Sequence, residues 1–149
     1  MVEITSKIAA KAEGHKAPRG VFNAMLRGAR LRCPNCGEGR LFRRYLKVAD
    51  HCPVCKEALH HHRADDAPPY FTIFIAGHLL VPLLIAFEVA FRPALWIHAL
   101  IWVPVTLAVC LALLPVVKGA IVGLQWALYM HGFDPAADPE EAPKAEAFG

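Results

Sequence analysis

The stretch that decides the fold is RCPNCGEGRLFRRYLKVADHCPVC, residues 32–55, which carries two Cys-Pro-x-Cys motifs. Cys33 and Cys36 form the first motif, and Cys52 and Cys55 follow after fifteen intervening residues. Paired motifs at this separation are typical of one tetrahedral metal site with four thiolate ligands. Soft thiolates favour zinc, with iron as the main alternative. The sequence therefore predicts a zinc-ribbon-like domain over residues 33–57, which is so small that its folding depends on the ion.

Two long apolar runs follow the cysteines, over residues 70–91 and 95–117. Each is long enough to cross a bilayer as a helix, and Arg92-Pro93 between them favours a tight turn. The predicted fold class is therefore a membrane protein, in which a small N-terminal four-cysteine domain precedes a two-helix transmembrane hairpin. So much of the chain is apolar that we expect no large soluble catalytic core.

Composition divides the remaining chain into flanking segments. We expect a disordered N-terminus (1–20), a short basic helix (21–32), a His/Asp/Pro linker (58–69), an interfacial or continuing helix (118–131) and a disordered acidic tail (132–149). In the basic helix, Phe22, Met25 and Leu26 recur at helical spacing. This apolar face is predicted either to cover the ribbon core or to contact anionic lipid.

Charge distribution predicts the topology. Residues 1–69 carry 13 Lys and Arg against 7 Asp and Glu, so the positive-inside rule favours a cytoplasmic N-terminal side. With two spans, both termini share that side. Four of the five cysteines lie in metal-binding spacing, which indicates a reducing compartment rather than a disulfide framework.

The predicted chemistry is that of a binding module. A metal held by four thiolates has no open coordination position, and no nucleophile with a base or phosphate-binding loop is visible, so we expect no enzymatic activity. A second metal or partner site is suggested by His60, His61, His62, Asp65 and Asp66. The alternative for these five residues is a solvated polar linker.

Three ionisable residues lie inside the apolar runs and are candidate functional groups, because burying such groups in lipid is costly. They are His78, Glu88 and His98. Glu88 and His98 are close enough to the turn to pair across it. His78 is a candidate cofactor or partner contact, since Gly77 would permit close approach of another helix.

A basic edge is predicted on the ribbon, where Arg40, Arg43, Arg44 and Lys47 are interleaved with Phe42 and Tyr45. Such an edge is typical of nucleic-acid binding. On a membrane protein the same charges more often determine topology or contact anionic lipid. A nucleic-acid partner is therefore less favoured than the lipid bilayer.

The motifs together resemble a family of bacterial membrane proteins catalogued as domain of unknown function 983. The resemblance covers roughly residues 25–130 and is carried by Arg27-Gly28, residues 32–42 and 45–48, Cys52, Cys55, residues 64–68, Tyr70, Thr72-Ile73, Gly77-His78 and Pro82. One departure is Lys56, where the family commonly has Gly after the second motif.

The resemblance implies a two-span protein of the bacterial inner membrane with a cytoplasmic zinc-ribbon-like head. It implies no established activity, but genes of this family often lie beside those for cytochrome c oxidase subunits and assembly factors. We therefore expect an accessory or assembly factor whose partners are respiratory-oxidase subunits or other assembly factors. The alternatives are rubredoxin-like electron transfer or metal delivery, and a membrane-tethered nucleic-acid-binding ribbon.

Overall fold

The computed structural model describes residues 18–62, 66–130 and 132–134. Within them the elements are α1 (Val21–Ala29), β1 (Phe42–Arg44), β2 (Lys47–Val48), α2 (Ala67–Phe91) and α3 (Leu95–Ala127). The four cysteines cluster in the region between α1 and α2, and two long apolar helices follow. The predicted fold class is confirmed.

The ribbon is a minimal antiparallel hairpin that is flanked by two isolated bridges. Phe42 pairs with Val48 and Arg44 with Lys47, which leaves residues 45–46 as the turn. The bridges join Arg32 to Arg40 and His51 to Ala58. Leu59, which follows the second bridge, is completely buried. The folded ribbon therefore extends past residue 57, into the segment that the sequence predicts as a linker.

α2 and α3 are long and apolar enough to cross a membrane. They contain 25 and 33 residues, which correspond to about 37 Å and 50 Å of helix. A typical hydrocarbon core is about 30 Å thick. Only 11% and 6% of their most apolar windows are buried inside the protein. Such apolar, exposed surfaces are not those of core helices in a soluble domain.

α3 continues well beyond the predicted span of residues 95–117. All of its buried residues lie between Val117 and Ala127, and they face the ribbon and α1. Within the segment for which the sequence left two alternatives, residues 118–127 are thus an uninterrupted continuation of the helix. Beyond it, Phe133 is buried against Ala24 and Trp126, although the sequence places it in a disordered tail. Residues 1–17 and 135–149, also predicted to be disordered, lie outside the described residues.

α1 packs on this extension of α3 through its small residues. Ala24 and Gly28 are its buried residues, whereas Phe22 is 77% exposed. A side chain at Gly28 would collide with the carbonyl oxygen of Gly119, and one at Gly123 with that of Ala24. The face of α1 that carries small residues therefore packs against α3, because only small residues allow the two backbones to come so close. The large apolar side chains of the predicted face do not take part in this contact.

Candidate metal centre

The four cysteine sulfurs form a compact set. All four Sγ atoms lie within 4.8 Å of one another, and the Cys33–Cys55 and Cys36–Cys52 pairs are each 3.7 Å apart. Tetrahedral coordination with Zn–S bonds of about 2.3 Å places sulfurs about 3.8 Å apart. The site therefore fits a four-thiolate metal ion, and the same spacing suits zinc and iron.

Each pair of ligands lies on a tight turn of the same shape, here called the first knuckle (33–37) and the second knuckle (52–56). The amide of Gly37 donates to the Cys33 carbonyl (2.9 Å), and that of Lys56 to the Cys52 carbonyl (3.1 Å). Both fifth residues have left-handed backbone, with φ of 76° at Gly37 and 62° at Lys56. Lys56, which the resemblance marks as a departure, thus adopts the conformation that a glycine would adopt more easily.

Burial and hydrogen bonding make the thiols unequal. Burial raises the pKa of Cys33, which is completely enclosed, and also raises that of the partly exposed Cys55. Burial also acts to raise the pKa of Cys36, but the backbone amides of Gly39 and Glu38 and the neighbouring thiols lower it to about 6. Cys36 is therefore more readily ionised at neutral pH than Cys33 or Cys55.

α1 supports the first knuckle through one arginine. The Arg27 guanidinium donates to the carbonyl oxygens of Pro34 (3.3 Å) and Asn35 (2.6 Å). Its stem also lies against Gly37, where an added Cβ would come within 3.2 Å of Arg27 Nε. The basic helix before the motifs thus fixes the carbonyls of the ligand turn, a contact that its charge alone does not indicate.

α3 supports the second knuckle. The Trp126 indole donates to the Glu57 carboxylate (2.8 Å), and the Asn35 amide donates to its other oxygen (3.0 Å). The same amide nitrogen lies 3.8 Å from Cys55 Sγ. A chain of polar contacts thus joins a helix that could span the membrane to a metal ligand. The buried core around Cys33 and Cys52 also includes Val122 of α3.

The polar residues after the second knuckle do not assemble as the sequence suggested. The rings of His60 and His61 lie 3.9 Å apart, and His51 approaches His60 at 5.4 Å. His62 instead donates to the Leu59 carbonyl (2.9 Å). Burial lowers the pKa of His61, and the imidazoles of His60 and His51 lower it further. The histidine cluster therefore includes His51, which the sequence analysis did not select.

Asp66, the one carboxylate of that candidate site among the described residues, is not part of the cluster. Asp66 is exposed and precedes α2 without forming a side-chain cap, and Asp65 lies outside the described residues. Among the residues that the structure describes, the four cysteines are the one group of potential ligands whose ligand atoms converge. A second metal site at residues 60–66 stays a prediction without a preformed geometry.

The three ionisable residues in the apolar helices make local contacts. His98 Nε2 donates to the Glu88 carboxylate at 2.7 Å, so these two residues pair across the turn. His78 Nδ1 donates to the Phe74 carbonyl of its own helix at 2.8 Å. An added Cβ at Gly77 would meet no atom within 4 Å, so no described residue makes the close helix contact that was expected there.

Comparison with known proteins identifies a family. A family model described as "Protein of unknown function (DUF983)" matches residues 42–126, more than half of the chain. The match includes Cys52, Cys55 and nearly all of the two long helices, whereas the first knuckle precedes it. No curated protein and no solved structure matches the chain. The chain therefore belongs to the DUF983 family.

Proposed function

We propose that this protein is a non-catalytic bacterial inner-membrane protein, whose cytoplasmic zinc-ribbon head is a docking platform for building a haem-copper (cytochrome c) oxidase. The observation that carries the proposal is the convergence of four thiolates on one point. An ion held by all four has no coordination position left for water or substrate. The metal would therefore stabilise a binding surface rather than activate a reactant.

The rigid mounting of the head supports a platform. Arg27 ties α1 to the first knuckle, and Trp126 ties α3 to the second. A head that is fixed to a membrane helix presents its surface at a defined height and angle to a partner in the same membrane. The association of related genes with oxidase genes, implied by the resemblance, suggests oxidase subunits or assembly factors as that partner.

The proposed role is tested by deletion and complementation. Loss of the protein should lower haem-copper oxidase content in the difference spectrum of isolated membranes, with a matching loss of oxygen consumption. Wild-type protein should restore both, and Cys33→Ser/Cys52→Ser should restore neither although it is inserted. Unchanged oxidase content in the deletion strain, under conditions where the protein is expressed, would remove the assembly role.

Electron or metal handling is the second candidate, because Cys36 and Cys55 are partly exposed and the sulfur spacing also suits iron. Metal analysis and an optical spectrum of protein purified from its native membrane separate the two. One zinc ion per chain and no visible absorption support the platform. Iron with charge-transfer bands that bleach on reduction would replace it with a rubredoxin-like carrier.

A further inference from the structure

The turn of the ribbon hairpin is bound to the middle of α3. We call residues 43–47 the hairpin tip. The Tyr45 hydroxyl donates to the carbonyl oxygen of Leu111 at 2.6 Å, and the Tyr45 side chain is otherwise 58% exposed. The tip therefore lies further along α3, toward its N-terminus, than the rest of the head. The buried residues of α3 begin only at Val117.

The acceptor at Leu111 is available because of a proline. In an α-helix the carbonyl of residue 111 accepts from the amide of residue 115, but that residue is Pro115 and has no N–H. Tyr45 supplies the missing donor from outside the helix. A carbonyl left without a donor in an apolar environment is costly, so the bond fixes the tip at this level of α3.

This level lies at the edge of the apolar span. Leu111 is sixteen residues beyond Leu95, about 24 Å along the helix, whereas the hydrocarbon core of a bilayer is about 30 Å thick. If the two helices span the membrane as proposed, with Leu95 at the far surface, the Tyr45 hydroxyl lies about 6 Å inside the near boundary of the hydrocarbon core, next to the interfacial layer on the side of the head. A phenol ring with one polar end is a side chain that favours this layer.

Cations flank Tyr45 in the sequence. Arg43, Arg44 and Lys47 are exposed on either side of the Tyr45–Leu46 turn. Arg43 pairs with Asp50 at 3.2 Å, whereas Arg44 and Lys47 form no ion pair within residues 18–62, 66–130 and 132–134. Two uncompensated cations next to an interfacial tyrosine are complementary to lipid phosphates.

We propose that the hairpin tip is an interfacial anchor that binds the phosphate groups of anionic phospholipids through Arg44 and Lys47, with Tyr45 against α3 just beneath the headgroups. The anchor makes the bilayer surface a third support of the metal head, beside α1 and α3. It rests on the two spans but is independent of any role in oxidase assembly. A bilayer rich in anionic lipid would hold the head more tightly than a zwitterionic one.

The test compares lipid selectivity in the full-length protein. Wild-type protein is reconstituted in nanodiscs of phosphatidylcholine and phosphatidylglycerol, and the lipids retained after mild detergent stripping are counted by native mass spectrometry. We expect enrichment of phosphatidylglycerol over the bulk mixture, reduced by raised salt. Arg44→Gln/Lys47→Gln should lower the enrichment, by about fivefold for each cation removed.

Matched variants control for charge and folding. Arg30→Gln/Lys56→Gln removes the same net charge from α1 and the second knuckle, away from the tip, and it should retain wild-type selectivity. The conservative change Arg44→Lys should also retain it. A metal content of one ion per chain in every variant shows that the head is folded.

Several outcomes would overturn the anchor. Equal lipid composition around wild type and Arg44→Gln/Lys47→Gln would remove phosphate recognition by the tip. Salt-sensitive binding of a single-stranded oligonucleotide, lost in that variant while lipid selectivity is absent, would replace the lipid with a nucleic acid. Release of the wild-type chain from vesicles by alkaline carbonate would remove the spans on which the anchor rests.

Discussion

At the scale of single residues, Lys56 stores conformational strain in the second knuckle. Its φ of 62° lies in the left-handed region, which costs a residue with a Cβ roughly 1–2 kcal/mol. Gly37 occupies the equivalent position of the first knuckle without that cost. The lysine ammonium donates to the Pro53 carbonyl at 3.4 Å, an exposed contact that offsets little of it.

Lys56→Gly should therefore stabilise the head. We expect a gain of about 0.5–1 kcal/mol in the free energy of unfolding, because relief of strain exceeds the added entropy of a glycine in the unfolded chain. The measurement is thermal unfolding of the metal-bound protein. Gly37→Ala is the matched change in the first knuckle and should lower stability, and a loss of stability in Lys56→Gly would contradict the shared shape of the two turns.

Cys36 should react faster than Cys33 and Cys55 when the metal leaves. Its pKa of about 6 lies below the ordinary value of 9.0, so at pH 7 roughly nine-tenths is thiolate, against about one per cent of an unshifted thiol. Pulsed alkylation just after addition of a chelator, before the ribbon unfolds, should modify Cys36 before Cys55. The partly exposed Cys55, with its raised pKa, is the control.

The pH dependence of Cys36 labelling follows from the sign of the shift. Folding favours the thiolate of Cys36, so its labelling is fast above about pH 6 and slows about tenfold for each pH unit below that value. Mass-spectrometric mapping at pH 7 and pH 5 measures it. Equal labelling of Cys36 and Cys55 at pH 7 would show that the backbone amides of Gly39 and Glu38 do not stabilise the thiolate.

At the scale of elements, the contact between α1 and α3 depends on paired small residues. Ala24 and Gly28 are spaced by four on α1, and Gly119 and Gly123 are spaced by four on α3. The two pairs meet so closely that backbone carbonyls occupy the space of the missing side chains. The helices therefore have no room to adjust to a larger residue.

Gly119→Ala should loosen the head. The new methyl group collides with the Gly28 carbonyl, and overpacking of this kind costs about 1–3 kcal/mol. We expect the head to unfold at a lower temperature. The fluorescence of Trp126 measures this unfolding. Gly77→Ala is the control, because its methyl group would meet open space and its helix propensity would rise by up to about 1 kcal/mol. Equal effects of both changes would rule out the close crossing.

The bond from Tyr45 to α3 should depend on Pro115. Tyr45→Phe removes the donor to the Leu111 carbonyl and should cost about 1 kcal/mol. Pro115→Ala restores an amide that can donate to the same carbonyl. Tyr45→Phe should therefore cost less in the Pro115→Ala background, and a double-mutant cycle measures the coupling. Strictly additive effects would mean that the two residues do not share this acceptor.

At the scale of the whole molecule, metal binding and attachment of the head to α3 form one structural unit. The core around Cys33 includes Val122, and Trp126 is linked through Glu57 and Asn35 to Cys55. Removing the ion should therefore unfold the ribbon and also free the end of α3.

Chelation should accordingly change the environment of Trp126. We expect a red shift of tryptophan emission as the metal leaves, because the buried indole becomes exposed to water. Trp126→Phe should show no such shift, since Trp96 and Trp102 lie within the apolar part of α3. Metal loss without any change of emission would contradict the coupling.

The sequence predicted those features that depend on local spacing. The cysteine ligands and the apolar runs are each contained in a short stretch of sequence. The cysteine spacing was therefore enough to predict the ligands, and the length of the runs was enough to predict the helices. The attachment of the head to α3 could not be predicted from the sequence. Glu57 and Trp126, which form the contact, are 69 residues apart, and no local pattern relates them. The face of α1 that packs on α3 did not follow from the sequence either, since Phe22 and Leu26 are more hydrophobic than Ala24 and Gly28, whose small size decides the packing.

The inclusion of Val122 in the ribbon core has a consequence for biosynthesis. The ribosome makes the cysteines and Leu59 first, but Val122 follows only after both apolar runs, 63 residues beyond Leu59. At about 5–20 residues per second this delay lasts roughly 3–13 s. The core of the nascent head therefore stays incomplete until the second helix has been translated. A completely folded head forms only when both apolar helices have been made.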